Sequence, residues 1–231
     1  MARNPPEAYM SDQSRASNKP VCLDLTGRKA AVVGGTAGIG RAIARALAAR
    51  GADVVVVGRT FRDQGTRGIE FRSADLSLLR EASRVGKELP AETLDLVVMT
   101  TGIMAAPKRQ ETAEGIERDM AVSYLSRLVI VRELASRLKK RESNGIRPRV
   151  FIMGFPGKGN AGSAADLNAE KSYSAMAVHM NTVAGNEMLV LESTKRYPEV
   201  DFFGLNPGLV PTSIRGNLLG EAARSTASPS G

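Results

Sequence analysis

The run Val54-Val55-Val56-Val57 is apolar and β-branched at every position. A strand with one wet face alternates polar and apolar residues. A strand apolar throughout has to be covered on both faces, which is the situation in a parallel sheet flanked by helices. The same signature recurs along the chain. Ala30 to Val33, Leu94 to Met99, Arg149 to Met153 and Val200 to Leu205 read as strands, and Ile69 to Arg72 as a weaker one. Between them lie stretches of helical spacing. Ala37 to Arg50 places Ile39, Ile43 and Leu47 on one face. Ser77 to Glu88 is a second helix. Thr112 to Lys140 is a long one carrying Ile116, Met120, Leu125, Leu128, Val131, Leu134 and Leu138, and Ser172 to Lys195 is another. Strand and helix in strict alternation predict an α/β fold, a doubly wound Rossmann-type parallel sheet of about six strands.

Composition narrows the function. The chain has 231 residues, 42% hydrophobic and 24% charged, which suits one domain with a sizeable core. Cys22 and His179 are the only residues of their types, so an intrachain disulfide and a Cys/His metal site are excluded by counting, and no metal is expected. No apolar run approaches the ~20 residues of a membrane-spanning helix, and Met1 to Pro20 lacks a signal-peptide core. The expectation is a cytoplasmic protein with a tail at 1–20, one domain at 21–219 and a second tail at 220–231. The net charge is +8, but the basic residues are scattered, and the densest cluster, Lys139-Lys140-Arg141, ends a helix where cations suit the dipole. Trp is absent and aromatics are 4%, so stacking platforms for nucleic acid are poorly supplied. No nucleic-acid or membrane partner is expected.

The loop Val33-Gly34-Gly35-Thr36-Ala37-Gly38-Ile39-Gly40 joins the first strand to the first helix. Glycines there let the backbone approach a pyrophosphate, and the helix start offers free N–H groups. The motif has the strand before it, the helix after it and the second strand on schedule. A 2′-hydroxyl would call for an acid at the end of the second strand. Arg59 stands there instead, a forked cation suited to a 2′-phosphate, with Arg62 close enough to assist. NADP(H) is therefore the expected cofactor, against the plainer reading of Arg59 as a solvated loop cation.

The chain resembles the short-chain dehydrogenase/reductase family from Leu25 to about Leu219. Gly34, Gly38 and Gly40 match the family's cofactor loop, with Thr36 and Ile39 between them. Asp75-Leu76 resembles the pair that meets the adenine. Thr100-Thr101-Gly102 takes the place of the usual Asn-Asn-Ala-Gly. Tyr173 sits where the family's catalytic Tyr begins its fifth helix, and Asn206-Pro207-Gly208 with Thr212 resembles the nicotinamide-end segment. Tyr173-Ser174-Ala175-Met176 and Gly154-Phe155-Pro156-Gly157 resemble segments of fungal secondary-metabolism members. The resemblance implies a carbonyl reductase in which Tyr173 donates a proton.

The family pattern also breaks. Ala177 stands where the resemblance places a Lys. Gly154 or Phe155 stands where it places a Ser, and Ser123 where it places an Asn. Ser123 is the polar substitute. Lys171 and Lys158 are the candidates for a replacement cation, with His179, six residues after Tyr173, read as a helix-face residue. Met176, Met180 and Met188 read as core, and Asp166 and Glu170 as a solvated loop. The segment after Gly208 looks too short for the family's seventh strand, which commonly forms a subunit interface, so the oligomer is left open. The leading expectation is NADP(H)-dependent reduction of a carbonyl or enone in a small hydrophobic, secondary-metabolite substrate. The alternatives are a non-redox isomerase or cyclase, and a catalytically silent NADP(H)-binding protein.

Overall fold

Six strands form one sheet, every neighbouring pair parallel, in the order β3-β2-β1-β4-β5-β6. They are β1 (Lys29–Val33), β2 (Asp53–Gly58), β3 (Ile69–Ser73), β4 (Leu96–Met99), β5 (Arg149–Met153) and β6 (Asp201–Leu205). The helices are α1 (Gly38–Ala48), α2 (Leu79–Glu88), a short α3 (Arg118–Met120), α4 (Ser126–Leu134) and α5 (Ala175–Arg196). The computed structural model describes residues 23–138, 147–154, 159, 162–208 and 210. Both expected tails, the basic cluster at 139–141, Phe155, Lys158 and Thr212 lie outside the described residues, and so does the stretch in which a seventh strand was sought.

The apolar runs behave as their composition requires. Ala31, Val33, Val55, Val57, Val97 and Met99 face one layer with α2, α4 and Leu189 of α5. Ala30, Val32, Val54, Val56 and Val98 face the other, with Ile43 and Leu47 of α1 packed against them. Each fully buried Val or Leu contributes about 1.5–3 kcal/mol, so the doubly covered strands anchor the fold. Strand β1 pairs with β2 on one side and β4 on the other, so the chain reverses direction across the sheet there. The crevice beyond the carboxyl ends of β1 and β4 is where such sheets bind ligands.

Several boundaries differ from the sequence expectation. The helix expected over Thr112 to Lys140 begins only at Arg118. Residues 112–117 form a turn with Gly115 at φ 73, closed by an isolated bridge between Glu111 and Glu117. The helical stretch is also interrupted by a π turn at Ala121–Leu125. Helix α5 starts at Ala175, with Ser174 as its cap, so Tyr173 precedes the helix instead of opening it. Strand β4 begins at Leu96 because Ala91–Thr93 forms a tight 3-10 turn that absorbs Leu94. Met176 and Met188 are exposed, not core. The inward stripe of α5 is Val178, Thr182, Asn186, Leu189 and Ser193, and these two methionines fall off it.

Candidate functional site

The loop after β1 packs against the loop after β4. Thr100 N–H donates to the Val33 carbonyl at 2.8 Å, and Thr100 Oγ1 to the same oxygen at 3.0 Å. Gly34 has φ 88, and a Cβ there would lie 2.6 Å from the Thr101 nitrogen. A Cβ on Gly40 would collide with Thr100 Oγ1 and the Gly34 carbonyl. Both positions therefore require glycine, and the close approach leaves the start of α1 facing the crevice. Thr36 packs over Gly58 at the end of β2, where a Cβ would come within 2.6 Å of its methyl group. Gly38 begins α1 and Ile39 is half-buried beside it.

At the β2 side of the crevice, Arg59 is exposed next to a cavity of about 530 Å³ that Asp75, Ser77, Gln110, Thr112 and Arg118 also line. The Asp75 carboxylate accepts from the Ser77 N–H at 3.0 Å and its hydroxyl at 2.8 Å. Burial pushes its pKa up, but those hydrogen bonds and the charges of Arg59 and Arg118 outweigh it and leave it lowered. Arg118 is a second cation on this cavity that the sequence did not suggest. The Leu76 side chain is 5% exposed and belongs to the main core, so only its backbone faces outward. Arg62 is exposed. Behind this wall Asp63 is buried under a bidentate bond from Arg41 and a further bond from Arg45.

Thr101 and Gly102 continue from β4 over the middle of the crevice. Thr101 Oγ1 is buried and has no hydrogen-bond partner among the described residues. An orphaned buried hydroxyl costs on the order of 1–3 kcal/mol, so a polar ligand group at this point would recover free energy. A Cβ on Gly102 would sit 3.8 Å from Ser123 Oγ and 3.5 Å from Arg127 Nη2. Both groups, each 4% exposed, therefore lie within van der Waals reach of the Gly102 backbone. The backbone turn at Gly34, the α1 start and the orphaned Thr101 hydroxyl together fit a dinucleotide running from Arg59 toward Gly102.

Under Gly102 lies a polar cluster built on the π turn. Ser123 Oγ accepts from the Ile103 N–H at 3.0 Å and donates to Asp119 Oδ1 at 2.5 Å. Asp119 is fully buried, and its other carboxylate oxygen meets His179 Nδ1 at 2.9 Å. Arg127, 4% exposed, donates to the Thr101 and Met153 carbonyls and, at 3.1 Å, to Asn186 Oδ1. Burial lowers its pKa to about 10, while Asp119 opposes that shift. Asn186 in turn donates to the Ser123 carbonyl at 2.8 Å. A π turn widens the helix by one residue and often sits at a functional site. Here it holds Ser123 between α3 and α4 with both its hydroxyl and its carbonyl engaged.

Tyr173 is half-buried against Ala105, Ala169 and Val178, and its hydroxyl donates to the Ala106 carbonyl at 2.5 Å. Burial raises its pKa, the negative charges of Glu117 and Asp119 add to the rise, and Arg109 opposes it. The phenol is therefore held neutral, as a donor. Ala177 is exposed and lies beyond the Ser174 cap, so no side chain occupies the expected Lys position. Lys171 is exposed. Asp166 accepts backbone N–H bonds from Glu170, Lys171 and Ser172, which makes it a turn cap. Gly154, after β5, pairs with the Leu205 carbonyl and carries no hydroxyl. Pro207 and Gly208 are exposed beyond β6, where the Gly208 N–H is held by Asn206 Oδ1.

His179 lies on a face of α5, as expected, and its ring also pairs with Asp119. Arg127 and Asn186 were missed. A signal existed: Asp119, Ser123 and Arg127 recur every four residues inside an apolar helical pattern. Their contact with α5 had none. No cluster of three or more metal-ligating side chains occurs among the described residues, and none of their helices is long and apolar enough to cross a membrane.

Comparison with known proteins agrees with this geometry. A family model described as short chain dehydrogenase matches residues 28–147. An uncharacterised oxidoreductase of Saccharomyces cerevisiae is 53% identical over 203 residues, covering 86% of this chain and 66% of that protein. The chain thus spans just under two thirds of that relative. A protein from Mycobacterium paratuberculosis shares the fold at a TM-score of 0.68 and 22% identity, covering 84% of this chain and 73% of the other. A short-chain dehydrogenase from Sphingobium yanoikuyae in complex with NADPH superposes at a TM-score of 0.63 and 21% identity, covering 88% and 78%.

Proposed function

The chain belongs to the short-chain dehydrogenase family, and from that premise we propose that it reduces a carbonyl or enone of a small apolar molecule with NADPH. The observation that carries this reading is the crevice at β1 and β4. There a glycine turn packs on Thr101, whose hydroxyl is orphaned, next to Gly102 at the end of β4, and Arg59 follows the adjacent strand β2. Thr36, Gly38, Ile39 and Gly40 hold the pyrophosphate through backbone N–H groups, on the turn that Gly34 makes possible. Arg59 pairs with the 2′-phosphate, and its neighbour Arg118 adds positive charge to the same cavity. Asp75 and the Leu76 backbone meet the adenine. Thr101 and Gly102 carry the ribose and nicotinamide, with Pro207 and Gly208 on the far side.

When bound, NADPH supplies hydride to the substrate carbon. Tyr173 binds the substrate oxygen, which displaces the Ala106 carbonyl as acceptor of the phenol hydrogen bond. Ser123 fixes the floor of the pocket. Arg127 brings a buried positive charge beneath Gly102. A cation in a water-poor site stabilises developing oxyanion charge far more than it would in water.

A second reading, binding without turnover, is favoured by the engaged Tyr173 hydroxyl and by Ala177. Titration with NADPH and NADH, followed by nicotinamide fluorescence, separates the readings when coupled to NADPH consumption with phenanthrenequinone and aliphatic ketones. The reductase reading expects NADPH to bind more tightly than NADH, Arg59→Ala to remove at least tenfold of that preference, and the quinone to be reduced. Binding with no reduction leaves the silent protein. NADPH unchanged while a substrate rearranges would indicate an isomerase. Absence of binding to either nucleotide removes the cofactor assignment.

A further inference from the structure

The His179–Asp119–Ser123 row has no counterpart in the roles assigned above. Asp119 is completely shielded from solvent and still places one carboxylate oxygen on each neighbour, 2.5 Å from Ser123 Oγ and 2.9 Å from His179 Nδ1. The carboxylate is held by two elements at once, its own α3 and the inward face of α5. His179 is the row's outlet, because a quarter of its side chain is exposed. Ser123, 4% exposed, is its inner end, with Oγ 3.8 Å from where a Gly102 Cβ would sit. The other charged groups around the carboxylate are Glu117, Arg109 and Arg127, with Tyr173 facing the same cluster.

Resting on the reductase reading, we propose that Asp119 and His179 are positioning residues that return a proton from solvent to Ser123 during each reduction. The arrangement answers a deficit in the site. Among the described residues no Lys acts on Tyr173, and burial with two nearby carboxylates holds its proton tightly. A hydroxyl resupplied from behind is a second source for the same proton. Hydride adds to the carbonyl carbon, and the new oxyanion takes the Ser123 Oγ proton. Ser123 takes a proton through the Asp119 carboxyl group from the protonated His179 ring. The ring, whose outer edge is wet, takes the next proton from water. Nothing is oxidised or reduced apart from NADPH and the carbonyl.

The test compares the wild type with His179→Ala, His179→Gln and Asp119→Asn, using NADPH and phenanthrenequinone. His179 is the only histidine in the chain, so rescue by free imidazole reports on one site. All variants should bind NADPH as the wild type does, which also checks their folding. The quinone KM should stay within about twofold while kcat falls about ten- to a hundredfold, within the range of proton-transfer assistance. Imidazole should restore His179→Ala several-fold and leave Asp119→Asn unchanged, and the solvent deuterium isotope effect on kcat should rise in both. Wild-type kcat in His179→Ala overturns the proposal. So does full activity in His179→Gln, whose amide can hold Asp119 without exchanging a proton, because the ring would then serve only packing. A wild type that binds NADPH and reduces nothing overturns the reductase reading and this proposal with it. Reduction by the wild type with all three variants unaffected overturns this proposal alone.

Discussion

Asp63 and Glu117 are both nearly inaccessible, at 7% and 1% exposure, yet the fold shifts them in opposite directions. Hydrogen bonds from Arg41 lower the Asp63 pKa from its ordinary 3.8, against the opposing effect of burial. Burial raises that of Glu117 from its ordinary 4.5, more than its bond from the Met120 N–H lowers it. The signs follow from linkage. Asp63 contributes stability that is present above its ordinary value and lost as pH falls. Glu117 contributes stability that is complete below its ordinary value and lost as pH rises through the raised one. Urea midpoints measured from acid to neutral pH should therefore separate two variants. Asp63→Asn should flatten the loss at the acid end. Glu117→Gln, which keeps an amide oxygen for Met120, should gain relative to the wild type as pH rises toward neutrality. At this scale the glycines and Arg59 were legible, because their demands are local. Arg127 was not. Its value as a buried cation depends on carbonyls at Thr101 and Met153 that only the assembled sheet brings to it.

Helix α2 shows how an element boundary is set from outside. The spacing predicts a start at Ser77, but the helix begins at Leu79 with no cap of its own. Glu114 supplies the cap from 35 residues away, accepting from the Leu79 N–H at 2.6 Å and the Arg80 N–H at 3.3 Å. A carboxylate there also complements the positive end of the helix. Glu114→Ala should cost about 1–2 kcal/mol in a denaturation experiment, with faster hydrogen exchange confined to the first turn of α2. The same logic explains α5. Ser174 accepts from the Ala177 N–H and starts the helix after Tyr173, so the tyrosine and position 177 are not neighbours on a helix face. That removes the geometric premise of a Tyr–Lys pair at four-residue spacing. The π turn at Ala121–Leu125 was equally invisible, since the apolar pattern on both sides continues across it.

At the scale of the whole molecule, the crevice proposed to hold the cofactor is assembled from the ends of β1, β2 and β4 and the 110–118 segment. A ligand that spans them should stabilise them together. NADPH at a hundredfold excess over its dissociation constant should add about 2.7 kcal/mol. For a domain of this size that raises the melting temperature by roughly 5–10 °C. Gly102→Val should reduce that shift, because its side chain would crowd Ser123 and Arg127. A shift equal to that of the wild type would place the cofactor elsewhere.

The doubly covered strands, their alternation with helices and the glycine turn after the first strand determined the α/β class, the parallel sheet and the tight turn into α1. Those signals are periodicities and local turn demands, and they are carried by consecutive residues. The polar row beneath Gly102 was decided only by tertiary structure. Asp119 and His179 are 60 residues apart in the chain, and Arg127 and Asn186 are 59. Whether such groups face solvent or one another depends on how α5 docks against α3 and the π turn. Ser123 was legible as a candidate through its place in the family pattern. Its partners were not, because a buried carboxylate is recognised by what surrounds it, and the surroundings exist only once the helices are packed.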